Sequence, residues 1–244
     1  MSDLRVREIG EFDLIDRLIA ALPAEARNAR VLTLAAGDDA AVALVSAGQS
    51  IVVTADTLNE GIHFRTDWTS WGDLGHKAIA VNLSDLAAMG ARPLLATVSL
   101  SLTGEERVSD LETMYAGLGR CAAASGCVVA GGDITRTPGP LSIAITAIGE
   151  TIEGRLLRRD AAQVGDLIWV TGTIGAAAAG LALQHLPDSD PRRQATTAPV
   201  LIQALHRPIP RTTAGQALAS VGVRCGMDLS DGLSGDLRKI LVSS

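Results

Sequence analysis

The sequence predicts an α/β (α+β) chain in two parts, on three observations. Short runs of Val, Ile and Leu alternate with longer Ala-rich stretches at helical spacing. Hydrophobic residues make up 47% of the 244 residues but aromatics only 2%, so the core is built from Ala, Val, Leu and Ile, as in packed helices over buried strands. Near residue 150 the character changes to the polar, turn-rich GETIEGRLLRRDAAQVGD, which separates an N-terminal unit, 1–150, from a second unit, 151–244.

Each element follows from its pattern. Ile9, Phe12, Ile15, Leu18, Ile19 and Leu22 recur at helical spacing and stop at Pro23. Val31 to Leu34 is a short apolar run leading into Gly37-Asp38-Asp39, and Ile51 to Val53 is a strand that ends at Thr54-Ala55-Asp56-Thr57. A helix is expected from Asp73 to Met89, closed by Gly90 with Pro93 beyond it. Residues 94–102 form a strand, 105–125 a helix, 128–130 a strand running into Gly131-Gly132-Asp133, and 141–148 an alternating strand. In the second unit, 167–170 is predicted as a strand, GTIGAAAAGLALQHL as a Gly-rich turn and helix, and 187–199 as a loop. Residues 221–227 are predicted as a last strand before a short helix.

Composition removes several function classes. A net charge of −6 does not suit a general nucleic-acid or membrane-surface binder, which needs a basic face. The first residues, MSDLRVREIGEFDL, are too charged for a signal peptide, and no apolar run approaches the roughly 18 residues of a membrane span. Cys121, Cys127 and Cys225 form no C-x-x-C pair and are expected to be reduced thiols in a cytoplasmic protein.

What recurs is an apolar segment, small residues, then an acid: Asp38 and Asp39, Asp56, Asp133, Asp228 and Asp231. Gly, Ser and Thr flanks leave such a carboxylate room to reach a ligand. Converging carboxylates repel unless cations sit between them, and hard oxygen donors without a His-Cys cluster favour Mg²⁺ with phosphate. Singly, each acid is also what a turn or a helix N-cap uses; that account strains when asked to cover all of them. Asp85 differs, because it lies inside a helical stretch where Asp is a poor former; it serves either a ligand or a contact with Lys77. His63 is open between binding a substrate and packing beside Phe64. Arg136, Arg158 and Arg159 could clamp phosphate, or be surface arginines. The sequence has no P-loop, G-x-G-x-x-G, kinase H-R-D or D-F-G, G-x-S-x-G or zinc spacing.

Taken in order, GEFDLI (10–15), GDDAAV (37–42), TADTLNEGIHF (54–64), KAIAVNLSDLAAMGARP (77–93), GGDITR (131–136), GRLLRRDAAQVGDLIWVTGTIG (154–175), HRPIPR (206–211) and MDLSDGL (227–233) resemble the thiamine-monophosphate kinase family. Its superfamily also holds aminoimidazole ribonucleotide synthetase, selenophosphate synthetase and HypE. The resemblance implies a two-domain PurM-like fold, dimerising through its N-terminal sheet, and ATP-dependent phosphorylation of thiamine monophosphate with several Mg²⁺ ions. It implies metal roles for Asp39, Thr54, Asp56, Asp85, Asp133, Asp228 and Asp231, with Asp133 and Asp231 catalytic. ATP contacts fall on Tyr115, Gly132, Asp133, Arg159 and Ser230, and a substrate contact on His63.

Ala55 departs from relatives that carry Thr or Ser, so a metal contact there would use backbone or water. Family members also continue with a Gly-Gly-Glu-Asp-Tyr-Glu segment that this sequence lacks before Ser244, so the second domain is expected to be incomplete. Selenophosphate synthetase would need an early reactive Cys, and HypE a C-terminal one. The alternatives left are a non-catalytic ATP–Mg²⁺-binding and dimerisation module, or an enzyme akin to aminoimidazole ribonucleotide synthetase.

Overall fold

A computed structural model describes residues 4–27, 30–36 and 40–244; Asp38 and Asp39, two of the acids singled out above, lie outside them. The helix expected at the start is α1 (Glu11–Ala21), followed by the single turn α2 (Ala24–Arg27) and a small antiparallel pair, β1 (Leu32–Leu34) and β2 (Val42–Ala43). The principal sheet contains β3 (Ile51–Asn59), β4 (Arg92–Leu102), β5 (Val128–Arg136) and β6 (Ser142–Glu150), in the order β3-β6-β4-β5. β6 runs antiparallel to both β3 and β4, while β4 and β5 are parallel and joined by α4 (Val108–Ala124). A parallel pair needs such a crossover, and the helix lies over the sheet.

The longest helix is α3 (Trp71–Ala88). It begins where Ser70 Oγ accepts the N–H of Asp73, a side-chain cap of the kind that satisfies an otherwise unpaired helix donor. Ten of its eighteen residues are buried, too many for one face, because the sheet, α4 and helices from beyond residue 150 all pack on it. Gly75 lets α4 approach so closely that a Cβ there would lie 1.9 Å from the Met114 carbonyl oxygen, and a Cβ on Gly117 would lie 2.0 Å from that of Gly72. One sheet face is buried against these helices through Ala96, Val98, Leu100, Ile143, Ile145 and Ala147. The opposite face carries Ser99, Ser101 and Thr135, and leaves Ile51 and Val53 exposed.

The chain beyond residue 150 forms α5 (Ala176–Gln184), α6 (Ala198–His206), α7 (Thr212–Ser220) and α8 (Leu233–Ser243). It docks along α3. Gly215 of α7 sits where a Cβ would lie 2.0 Å from the Ala87 carbonyl. Arg207 pairs with Asp73 at 2.8 Å, and His76 Nε2 meets the Pro208 carbonyl at 2.8 Å.

Several expectations need correction. β3 and β5 do not stop before their acids: Asp56 and Asp133 lie within the strands. Residues 187–199 are not all loop, since a 3₁₀ turn spans Pro191–Gln194 and α6 begins at Ala198. The strands expected at 167–170 and 221–227 are irregular, and Leu167 and Trp169 are 79% and 86% exposed. A strand needs a pairing partner as well as a suitable pattern, and neither segment pairs with a described strand. Among the described residues, no helix is long and apolar enough to cross a membrane.

The α3–α4 contact makes a clear test. Gly75→Ala gains helix propensity of about 1 kcal/mol, but the added methyl has no space. The clash is expected to win, with a net loss of about 1–3 kcal/mol and a lower thermal midpoint by circular dichroism.

Candidate active site

β3 is an edge strand, so alternate backbone N–H groups point away from its neighbour β6. That of Asp56 is accepted by Asn82 Oδ1 of α3 at 3.0 Å. Asn82 is fully buried and donates its own amide to the Ala78 carbonyl. This brings the inward-facing side chains of β3 against α3. Thr54 Oγ1 donates to Asp85 Oδ2 at 2.5 Å, so the partner of Asp85 is Thr54 rather than Lys77. One residue earlier on α3, Ser84 Oγ donates to Asp228 Oδ2 at 3.2 Å, tying the 227–233 segment to the same place.

Three carboxylates from three parts of the chain thus share one electrostatic environment. All three sit above the ordinary carboxylate range. Asp56 is raised by burial and then by Asp228, while His63 opposes the shift. Asp85 is raised by burial and also by Asp56, with Thr54 and Arg159 pulling the other way. Asp228 is raised by burial and then by Asp85. Burial and like charge both disfavour the ionised form, so the cluster holds negative charge that the fold does not neutralise.

Asp231 is held differently. Lys239 Nζ lies 2.6 Å from its carboxylate and 2.9 Å from that of Asp236. Asp236 is 1% exposed and accepts the Asp231 N–H at 2.9 Å. Burial would raise its pKa, but Lys239 and the N–H groups of Asp231 and Ser230 hold it below the usual range. Asp236 therefore anchors the segment carrying Ser230 and Asp231, both exposed. Sequence patterns missed Asp236, Lys239 and Asn82; an acid in the first turn of α8 was the only available signal.

The other expected residues are distributed as follows. Arg159 is exposed and close enough to Asp85 to oppose its shift. Asp133 is not brought to the cluster. Its register partner is Ser99, and the adjoining Ser101–Thr135 contact at 3.2 Å shows that these side chains share the face opposite the helices, which the β1–β2 segment covers only over Leu95, Val128 and Ala130. Thr54 and Asp56 instead pair in register with Ala147 and Ile145, on the buried face. Three strand spacings, roughly 14 Å, also separate β3 from β5. Gly132 has a packing reason, since a Cβ there would lie 1.8 Å from the Val98 carbonyl. Tyr115 is a core residue at 6% exposure, and burial raises its phenol pKa; the structure does not present it to a ligand beside the acids. Asp39 lies outside the described residues.

The acids suit a divalent cation by donor type, since all offer hard oxygen. Among the described residues, no group of three or more His, Cys, Asp or Glu side chains is gathered closely enough to hold a metal ion by itself. Mg²⁺ takes one or two carboxylates and fills its octahedron with water and phosphate, so an incomplete cage with surplus negative charge fits that ion.

Fold and site together define an α/β domain with an acid cluster suited to phosphate chemistry, and residues 37–151 match the family described as AIR synthase related protein, N-terminal domain. The chain is 40% identical to thiamine-monophosphate kinase of Synechococcus elongatus, over 100% of this chain and 72% of that protein. It superposes on the crystal structure of thiamine-monophosphate kinase from Stenotrophomonas maltophilia K279a with a TM-score of 0.82 and 42% identity, covering 97% of this chain and 72% of that one. AaThiL, solved in complex with AMPPCP and TMP, gives a TM-score of 0.75 at 33% identity, with coverage of 99% and 72%. The chain belongs to the thiamine-monophosphate kinase family.

The electrostatics predict a pH signature. Because folding raises the pKa of Asp85, its contribution to stability is intact below about pH 4 and is lost as pH rises through the folded-state value. Without divalent cations at neutral pH, Asp85→Asn should raise the melting temperature. The gain should disappear near pH 4, as measured by differential scanning fluorimetry.

Proposed function

We propose that this chain transfers the γ-phosphoryl group of ATP to the phosphate of thiamine monophosphate, giving thiamine diphosphate. The observation that carries the proposal is the cluster of Asp56, Asp85 and Asp228, whose uncompensated charge calls for cations. The family relationship and the AaThiL complex with AMPPCP and TMP supply the substrates. The acceptor oxygen is already anionic, so the reaction needs no strong base; its obstacle is repulsion between two polyanions.

Mg²⁺, when bound, neutralises phosphate charge and aligns donor and acceptor for in-line transfer. Asp56, Asp85 and Asp228 are the residues that would hold it, supported by Thr54 and Asp231, and Asp39 is assigned to the same set. Asn82 holds the β3 backbone at Asp56 and Ser84 holds the Asp228 carboxylate, which supports keeping the two acids within electrostatic reach of each other. Arg159 offers a cation to the nucleotide, and Ser230 and Gly132 remain proposed nucleotide contacts. Asp133, exposed on the sheet face opposite the helices, is proposed to act only if a second subunit brings that face to a nucleotide. Exposed Ile51 and Val53 on this face support a homodimer formed through it.

Two measurements test this. Incubation with thiamine monophosphate, ATP and Mg²⁺ should yield thiamine diphosphate by chromatography. Asp56→Asn and Asp228→Asn should each lower turnover about 10²-fold or more, the scale at which misaligned reactants are felt. ATP binding with no product in the wild type would favour a binding module instead. Separately, millimolar Mg²⁺ should raise the wild-type melting temperature and do so less for Asp56→Asn; equal gains would remove Asp56 from the metal set.

A further inference from the structure

α8 opens with one ammonium shared between two carboxylates in unlike surroundings. Asp236 and Lys239 stand three residues apart on one face of the helix. Lys239 Nζ lies 2.9 Å from Asp236 Oδ1 and 2.6 Å from Asp231 Oδ2. The Asp236 side chain is 1% exposed, whereas that of Asp231 is 66% exposed and that of Lys239 41%. One partner of the ammonium is therefore interior, and the other faces solvent.

The interior partner cannot be left alone, because a buried carboxylate persists only when it is paired and hydrogen-bonded. Asp236 has both: besides Lys239, its Oδ2 accepts the Asp231 N–H at 2.9 Å. The chain between them turns at Gly232, whose φ of +94° is a conformation that L side chains rarely adopt. These contacts fix the backbone at Asp231 and leave its carboxylate facing outward.

Asp231 depends on the ammonium much less. Water solvates an exposed carboxylate, and an exposed ion pair is weak. The lysine stem is flexible and carries three donors at its tip. Lys239 can thus release Asp231 while staying on Asp236, and no buried charge is stranded by the change. The pair also stands beside the unbalanced acids: Asp228 is raised by burial and then by Asp85, and Asp236 adds to that rise.

We propose that Lys239 is an exchangeable counter-ion, which yields Asp231 to a divalent cation and stays on Asp236. It is a positioning residue: it acts on the cation through Asp231, and its competition sets how much divalent ion this end of the site requires. The inference rests on the proposed membership of Asp231 in the metal set.

The test titrates Mn²⁺ alone into the protein and counts free ion by electron paramagnetic resonance, after thermal melts establish that each variant is folded. Lys239→Gln removes the charge but keeps an N–H for Asp236. Lys239→Arg keeps the charge and grips both carboxylates with a planar fork. Arg238→Gln removes the same charge from an exposed neighbour on α8. Lys239→Gln is expected to bind Mn²⁺ about 2- to 5-fold more tightly than wild type, the scale of one exposed ion pair. Lys239→Arg should bind it more weakly than wild type, and Arg238→Gln should bind it equally well. In an Asp231→Asn background, Lys239→Gln should bring no gain. Unchanged or weaker binding in Lys239→Gln would show that the lysine only supports Asp236, and a gain that persists without the Asp231 charge would be a general field effect. Either result overturns the proposal, as does a Lys239→Arg variant that binds more tightly than wild type. If Asp231→Asn binds Mn²⁺ as well as wild type, Asp231 leaves the metal set and the exchange falls with it. Absence of thiamine diphosphate with this binding pattern intact defeats the phosphotransfer reading alone.

Discussion

The close packing around α3 is the constraint on which the remaining structure depends. Gly75 of α3 and Gly117 of α4 let those two helices meet, and the carbonyl end of α3 admits Gly215 of α7. The sheet covers a further face. A helix surrounded in this way is held in one rotation and one height. Interiors at this packing density pass displacements on rather than absorb them, so the positions of Asn82, Ser84 and Asp85 follow from contacts made up to two turns away. An almost aromatic-free composition is what such a helix requires, since larger side chains at its contact points would force the neighbouring backbones apart.

The site exploits that rigidity by placing charge where the fold alone would not tolerate it. Asp56, Asp85 and Asp228 come from a strand, a helix and an irregular segment, and each is raised by burial and then by another member of the group or its neighbours. Hydroxyl and amide groups at Thr54, Asn82 and Ser84 orient the acids or their backbone without neutralising them. Asp231 has an ammonium partner and a buried anchor in Asp236. The acids therefore divide into an unbalanced set beside α3 and a balanced one at the start of α8. Destabilising charge gathered in one place is a common mark of a ligand site.

The fold was legible wherever a pattern had a partner to act on. α1, α3, α4, β4 and β6 appear near their expected bounds because their apolar spacing matches the layer they pack against. α6 and α7 were not expected; their short Ala-rich runs lie among Pro and Arg and carry weak periodicity. The acids at 56, 85 and 228 stood out as isolated charges in apolar surroundings, and the structure gathers them. Asp133 stood out for the same reason, yet it projects from the other face, because strand alternation becomes decisive only once the register with β4 is known. Tyr115, named as an ATP contact by the family resemblance alone, had no local pattern to announce its place in the core. Asn82 and Asp236 act through hydrogen bonds to distant backbone, and nothing in local sequence reports such a partner.

Asn82 has one more consequence, which concerns assembly rather than catalysis. By accepting the outward N–H of Asp56, it occupies a backbone donor that an incoming strand would need. Natural sheets commonly block their edges to avoid indiscriminate pairing. Here the blocking group is a buried side chain of the same helix that carries the acids. Continuous addition of another strand along β3 is therefore interrupted at its middle, without any separate device on the edge itself.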